Sequence, residues 1–442
     1  MNSKKFARSE WSVLLLFGLV GQIAWAVENM CFNLFVFYNV EPNLSAITLM
    51  VQLSGVTATV VTLIAGTLSD KSGNRRSFIS WGYIIWGVTV ALFGFLSPEL
   101  VGIIFRTDGA RAITITLVLI IIGDCVMTMF GSTANDAAFN AWVTDNTETS
   151  YRGKVEGVLS ILPLIAMLIV AGGFGMLAEF IEYKYLFLML GIVITLSGVL
   201  GIFIVKDSRT LTPKGSMRDI FYGFKPSVVK ENSPLYLMLV IVLIYGIACQ
   251  IFMPYLIIYM SSYLGFSSIE YSAVFAVAIL LGACVNLYLT RLSDRMDKVK
   301  LLYIATSIFA FGLFAMYLAR GCGKAATLIL FGFSGLVMIT GYIFISALAN
   351  SLVRDCTPEG EVGKLQGVRM VFSVLIPMIV GPFVGNLINS SRNIPLPDET
   401  SPDAMTTKYI PAPEIFLAAA ITALLLLAVI PLLKKALDKR AK

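Results

Sequence analysis

Apolar runs of about 18 to 25 residues, separated by short polar stretches, recur along the whole 442-residue chain. Each run is long enough to cross a hydrocarbon core of about 30 Å as a helix, and none has the short alternation of a membrane-barrel strand. The pattern predicts twelve spans. Helix 1 runs from about Trp11 to Tyr38, helix 2 from about Ala46 to Leu68, and helix 3 from about Ser77 to Leu96. The other nine fall near 112–142, 157–178, 186–205, 235–260, 269–289, 301–319, 325–349, 367–388 and 414–433. Lys4, Lys5 and Arg8 look like the start of a signal peptide. The apolar segment after them is too long for one and no small-residue cleavage site follows, so helix 1 is expected to be retained.

The polar interruptions repeat. Between helices 2 and 3 stands Gly66-Thr-Leu-Ser-Asp70-Lys71-Ser-Gly73-Asn-Arg75-Arg76, and a reduced copy, Leu292-Ser293-Asp294-Arg295, follows helix 8. Gly73 permits the left-handed backbone of a tight reversal, and Asp70 can answer Lys71, Arg75 or the positive N-terminus of the next helix. A second repeat is longer. The stretch from Val143 through Asp145, Arg152 and Gly157 to Val158 aligns without a gap on the stretch from Val353 through Asp355, Gly363 and Gly367 to Val368, and Asn140 and Asn350 extend the match. Both copies join helices of the same direction, so the chain reads as a parallel repeat of six helices plus six. The expected organisation is an N-terminal half over 1–205, a linker over 206–234 marked by Pro213, Pro226 and Pro234, and a C-terminal half over 235–442.

Composition agrees. At 57% hydrophobic, 14% charged and a mean hydropathy of +0.83, the chain is too apolar for an ordinary soluble domain. The expected fold class is an all-α integral membrane protein with twelve transmembrane helices in two six-helix pseudo-repeats. Of its 33 Lys and Arg residues, only Arg106, Arg111, Lys184, Arg320, Lys324, Arg392 and Lys408 fall in the loops opposite the termini. That bias predicts both termini in the cytoplasm. It also accounts for the net charge of +6, so no nucleic-acid partner is called for.

Two six-helix halves, a basic central loop and the Gly66–Arg76 stretch resemble the major facilitator superfamily. The signature that follows its second helix is matched at every position but Asn74, where a basic residue is usual. The resemblance implies the major facilitator fold, and a gating role for Asp70, braced by Arg75 and Arg76, that locks the cytoplasmic side. It implies the same for Asp294 and Arg295 in the second copy, which lacks the glycines. Asn135, followed seventeen residues later by Arg152, is similar in spacing to the glycoside-pentoside-hexuronide cation symporters, although Asp136-Ala137-Ala138 replaces the Pro-Tyr usual after the asparagine. Arg152 then joins the cytoplasmic gate. The Gly-Pro signature that drug antiporters carry in helix 5 is missing there, while Gly381-Pro382 stands in helix 11.

Charges within spans cost on the order of 2.5–3.5 kcal/mol each on insertion scales, so those present point to function. Glu28 lies deep in helix 1, Asp124 near the middle of helix 4 and Asp136 nearer its cytoplasmic end. Counted from Ile113, Asp124 is roughly 16 Å into a core of about 30 Å, close to the midplane where such carriers bind substrate. On helix 1, Gln22, Trp25, Asn29 and Asn33 fall on one helical face with Glu28 at its edge; on helix 4, Asp124, Thr128, Ser132, Asn135 and Phe139 form a second stripe. Tyr245, Phe252 and Tyr259 share a face of helix 7. Polar groups beside aromatic plates suit a hydroxylated ligand, while the competing role for a single Asn or Ser is helix-to-helix hydrogen bonding.

No histidine is present, so a coupling proton must sit on carboxylates; a sodium ion would use the same oxygens. The six cysteines have no metal spacing, and no Walker loop, Gly-x-Ser-x-Gly elbow or His-Glu-x-x-His helix occurs. The expectation is a monomeric, multi-pass transporter of the plasma (inner) membrane, not an enzyme. It has no cofactor or metal centre, a proton or sodium as coupling ion, and small-molecule substrate and lipid bilayer as partners. Cation-coupled uptake of a sugar or glycoside stands first. Proton-driven export of drugs or metabolites is the rival within transport, and a non-transporting receptor or embedded enzyme the rival of another class.

Overall fold

A computed structural model describes residues 8–147, 152–178, 180–207, 217–293, 296–321, 323–358, 362–396 and 408–440. Its apolar runs become helices because a backbone in lipid must satisfy its own polar groups. Twelve helices are long and apolar enough to span a membrane: α1 Arg8–Val40, α2 Leu44–Ser72, α3 Arg75–Phe93, α4 Gly109–Asn146, α5 Gly157–Phe174, α6 Tyr183–Ile204, α7 Ser233–Tyr263, α8 Ser268–Asn286, α9 Lys298–Leu318, α10 Lys324–Cys356, α11 Leu365–Arg392 and α12 Glu414–Lys439. These are the twelve expected spans in order. The largest difference is at α10, whose helix runs on to Cys356 and takes Asp355 out of the loop into its last turn. The last turn of α4 likewise holds Asp145. The other described structure is a helix at Pro98–Phe105, two helical stretches in the linker, and a two-residue antiparallel pairing of β1 Ile394–Pro395 with β2 Tyr409–Ile410.

The chain divides into two compact units, Met1–Glu41 with Leu53–Met217, and Pro42–Gln52 with Arg218–Lys442. In the first, Phe32, Phe93 and Phe187 interlock, the Phe32 and Phe93 rings stacked at 4.0 Å and Phe187 edge-on to both. In the second, Tyr259 and Phe331 pack on Phe416, and Phe252 adds its ring to the same one. Phe252 and Tyr259, expected on one face of helix 7, are thus core residues of their unit.

The N-terminal end of α2 also belongs to the second unit. There Thr48 Oγ1 meets Tyr255 OH at 2.7 Å, Gln52 Nε2 donates to the Ile379 carbonyl at 2.9 Å, and Asn386 Nδ2 donates to Ser45 Oγ at 3.2 Å. Large apolar side chains such as Leu92, Phe203 and Ile329 stay exposed, as a lipid-facing surface requires.

Candidate functional site

Two of the three acids in the spans of the first unit, Glu28 and Asp136, stand at breaks in helical register, while Asp124 lies in regular α-helix. Glu28 opens a π-helical turn, Glu28–Phe32, and a second π stretch, Ser132–Phe139, carries Asn135 and Asp136. Each widened turn adds a residue to the repeat and re-aims the side chains after it, which is why such turns gather at functional sites. Glu28 is buried while Asn29 beside it is exposed, and Asn33 returns to the interior. The helix 1 stripe expected from regular periodicity is therefore split, with Glu28 inside rather than at an edge. The helix 4 stripe persists: Asp124, Thr128, Ser132, Asn135 and Phe139 are all buried.

Two hydroxyls converge on Glu28. Ser54 Oγ donates to Glu28 Oε1 at 3.1 Å, Thr128 Oγ1 donates to the same oxygen at 3.2 Å, and the two hydroxyl oxygens are 2.8 Å apart. Two hydroxyl protons cannot fill three contacts at once. Glu28 Oε2 and Asp124 Oδ1 are buried and have no hydrogen-bond partner. The charges of Asp124 and Asp136 both act on Glu28, and no ion pair reaches any of the three acids among the described residues. The cluster is rich in acceptors and short of positive charge. No group of three or more His, Cys, Asp and Glu that could hold a metal ion occurs among the described residues.

Further along α4, Asp136 accepts from Ser132 Oγ at 3.1 Å, and the Trp25 indole nitrogen is buried without a hydrogen-bond partner. Trp25 and Trp86 lie 5.0 Å apart over Gly131, where a Cβ would stand 2.8 Å from Trp86 Cε2 and 3.0 Å from Trp25 Cη2. Glycine is what lets both indoles approach α4. Asn135 Nδ2 is buried without an acceptor, and Gln22 is half-buried. Asn29 uses its amide on its own helix, donating to the Trp25 carbonyl at 2.7 Å. Asn33 does the same toward the Asn29 carbonyl at 3.2 Å. Tyr245 lies in the second unit, where its hydroxyl donates to the Tyr342 carbonyl at 3.0 Å and its ring sits 5.7 Å from Phe309.

At the loop between α2 and α3, Gly73 has φ +64°, the left-handed turn its position called for. Arg75 is buried and holds three partners: Ser69 Oγ at 2.6 Å, Asp145 Oδ2 at 3.0 Å and Asp70 Oδ1. Arg76 accepts Asp207 as a cap, its backbone N–H donating to Oδ1 at 3.0 Å, and its guanidinium donates to the Ile202 carbonyl. Arg152 begins a helix, but its side chain lies outside the described residues, as do Asp294 and Arg295. In the second unit, Lys298 Nζ binds Asp355 Oδ2 at 2.6 Å and Ser351 Oγ at 2.8 Å.

The sequence from residue 14 to residue 382 matches the family model of the Major Facilitator Superfamily. The chain belongs to the Major Facilitator Superfamily. It is a multi-pass membrane transporter, and its twelve helices have that superfamily's fold. No curated protein matches the sequence. Among solved structures it is similar to the D-xylose–proton symporter, with a TM-score of 0.69 at 13% identity over 96% of this chain and 97% of that one. A mutant of the nucleoside transporter NupG gives 0.68 at 12% identity, over 96% and 99%. A bacterial homologue of the iron transporter ferroportin gives 0.61 at 14% identity, over 96% and 98%. Identities this low carry the fold and leave the solute open.

Within the superfamily loop, Asn74 stands where a basic residue is usual. Its side chain accepts from the Ser77 N–H at 3.0 Å and caps α3, which a lysine or arginine could not do. Sequence reasoning missed Ser54, Trp86, and the Arg75–Asp145 and Lys298–Asp355 pairs. The repeat had already aligned Asp145 with Asp355, so those two acids were visible. One serine and one tryptophan in apolar runs give no comparable signal.

Proposed function

We propose that this protein is a cation-coupled secondary transporter that takes up a small hydroxylated solute, a sugar or glycoside in the preferred form, by alternating access. The carrying observation is a pair of buried acids: Glu28, which accepts from Ser54 and Thr128, and Asp124, whose charge acts on it, with one oxygen of each unbonded. An uncompensated buried carboxylate is costly, and a bound proton or sodium ion removes that cost. Solute binding beside the neutralised pair then favours the change of state. Trp25, Gln22 and Asn135 supply the ring and amides of a polar solute site, with Asp136 and Trp86 behind them. Asn29 and Thr128 hold the polar wall of that site.

The Asp70–Arg75–Asp145 cluster is assigned to the gate, together with Arg76 and Arg152, and Asp294 and Arg295 are assigned the same role in the second repeat. The charge bias of the loops supports a cytoplasmic position for this gate and both termini, in a plasma or inner membrane. The halves divide at the linker 206–234, and the transporter works as a monomer.

Proteoliposomes holding the purified protein test the proposal. A panel of labelled pentoses, hexoses, glycosides and nucleosides is offered under an imposed sodium or proton gradient. Gradient-driven accumulation of a sugar or glycoside is expected. Accumulation of nucleosides alone would reassign the solute, and gradient-driven extrusion would favour the proton-coupled exporter.

A further inference from the structure

The linker contains an element that neither the gate nor the solute site uses. Met217–Phe224 forms a 3-10 helix, followed by a short helix at Pro226–Glu231 and then by α7. With three residues per turn, positions i and i+3 eclipse, so Phe221 and Phe224 lie on one face. They are 70% and 43% exposed.

The other side is held down. Gly223 is buried against α11, where an added Cβ would sit 3.0 Å from Val368 Cγ1 and 3.4 Å from Leu365 Cδ2. The Tyr236 hydroxyl of α7 donates to the Gly223 carbonyl. Val228 is buried in the next helix. Lys225 and Lys230 are exposed and make no ion pair among the described residues, Lys225 resting its ammonium 5.6 Å from the Tyr222 ring. An exposed aromatic pair beside unpaired lysines, docked at the ends of two spans, has the make-up of an interfacial element. Rings enter the acyl boundary while the ammonium groups reach the phosphates.

We propose that Met217–Glu231 is an anionic-phospholipid site: Phe221 and Phe224 insert into the bilayer interface and Lys225 and Lys230 bind lipid phosphate. The charge complementarity singles out acidic headgroups over zwitterionic ones, each lysine near such a surface being worth about fivefold in binding. Assignment to the cytoplasmic leaflet rests on the orientation proposed above; the lipid chemistry does not. Because Gly223 touches α11 and Tyr236 belongs to α7, lipid occupancy reaches two spans of the second unit directly.

The test uses full-length protein with Phe221→Trp, reconstituted in phosphatidylcholine vesicles with and without about a third phosphatidylglycerol. Its emission is taken as the difference from the parental protein, which has five tryptophans. The difference emission is expected to be quenched by lipids brominated near the carbonyl end of the chain and protected from acrylamide. Both effects should grow with phosphatidylglycerol. Adding Lys225→Glu and Lys230→Glu should cut the phosphatidylglycerol dependence at least fivefold, with parental thermal stability in detergent showing that the fold is intact. Full acrylamide access without bromine quenching in either lipid overturns the proposal. So does phosphatidylglycerol dependence that the lysine substitutions leave unchanged. Solute uptake is read separately, so failure of the transport reading does not affect this result.

Discussion

Replacing Arg75 with methionine should destabilise the first unit more than any other single change at the loop between α2 and α3. The side chain is 5% exposed and holds three partners, of which Asp145 is 26% exposed and Asp70 44%. The Ser69 hydrogen bond contributes about 1 kcal/mol, and the largely shielded pair with Asp145 about 1.5–3 kcal/mol. The pair with Asp70 is close to half exposed, so screening limits it to about 1 kcal/mol or less. Together these predict a loss of about 3–5 kcal/mol for Arg75→Met, in the range expected when one partner of a buried pair is removed.

The same reasoning ranks the acids. Asp145→Asn should cost about 1.5–3 kcal/mol and Asp70→Asn no more than about 1 kcal/mol. Unfolding in mixed micelles followed by intrinsic fluorescence is the assay, because Trp86 and Trp142 are both fully buried in this unit. Arg75→Met within 1 kcal/mol of the parent would refute the argument, as would Asp70→Asn costing more than Asp145→Asn. Stability and transport can then be separated. If Asp70 serves the gate, Asp70→Asn should lower uptake severalfold at near-parental stability.

Glu28→Gln should leave solute exchange measurable while reducing gradient-driven accumulation at least tenfold; accumulation at the parental level in proteoliposomes would remove Glu28 from the coupling site. Gly131→Leu should overpack the two indoles beside α4 at a cost of about 1–3 kcal/mol, read as a lowered thermal midpoint with altered tryptophan emission. Lys298→Met occupies the corresponding place in the second unit, but Lys298 is a third exposed and Asp355 about half. Its cost should stay within about 1 kcal/mol, far below that of Arg75→Met, and the same unfolding assay compares them.

All twelve spans were legible because hydrocarbon thickness imposes a length that can be counted, and Gly73 was legible because its turn needs a left-handed residue. Asp124 stood out as a charge within a span, by its depth and by the polar stripe it shares. Which side chains meet across helices could not be seen in the pattern. The π turn at Glu28–Phe32 breaks the 3.6-residue period on which the helix 1 stripe was read, so Glu28 goes inside and Asn29 outside. Asn29 and Asn33 also look free in a sequence, yet both amides bond carbonyls one turn back on their own helix. Serine and asparagine have that option everywhere in a span, which makes their functional use hard to read.

Carboxylates lack that option, and the two halves expose the difference. The offset of 210 that aligns Asp145 with Asp355 places Ser334 opposite Asp124 and Ser346 opposite Asp136. Ser334 Oγ donates to the Leu330 carbonyl at 2.7 Å and to the Phe331 carbonyl at 3.1 Å, so its own helix satisfies it. An ionised aspartate only accepts, and helix carbonyls offer it nothing. Asp124 must therefore draw on another helix, a proton or a cation, and its Oδ1 has no partner from the protein. Asp124→Ser should make α4 resemble α10 here, the new hydroxyl bonding the Ile120 carbonyl. The variant is expected to fold, to match or exceed the parent in stability by up to about 1–3 kcal/mol through loss of an unsatisfied buried acceptor, and to lose ion-driven accumulation. Reconstituted uptake and mixed-micelle unfolding measure the two effects on one preparation. A variant destabilised by more than about 1 kcal/mol would make Asp124 a structural acceptor, and one that still concentrates solute at the parental rate would move the coupling charge to Glu28 or Asp136.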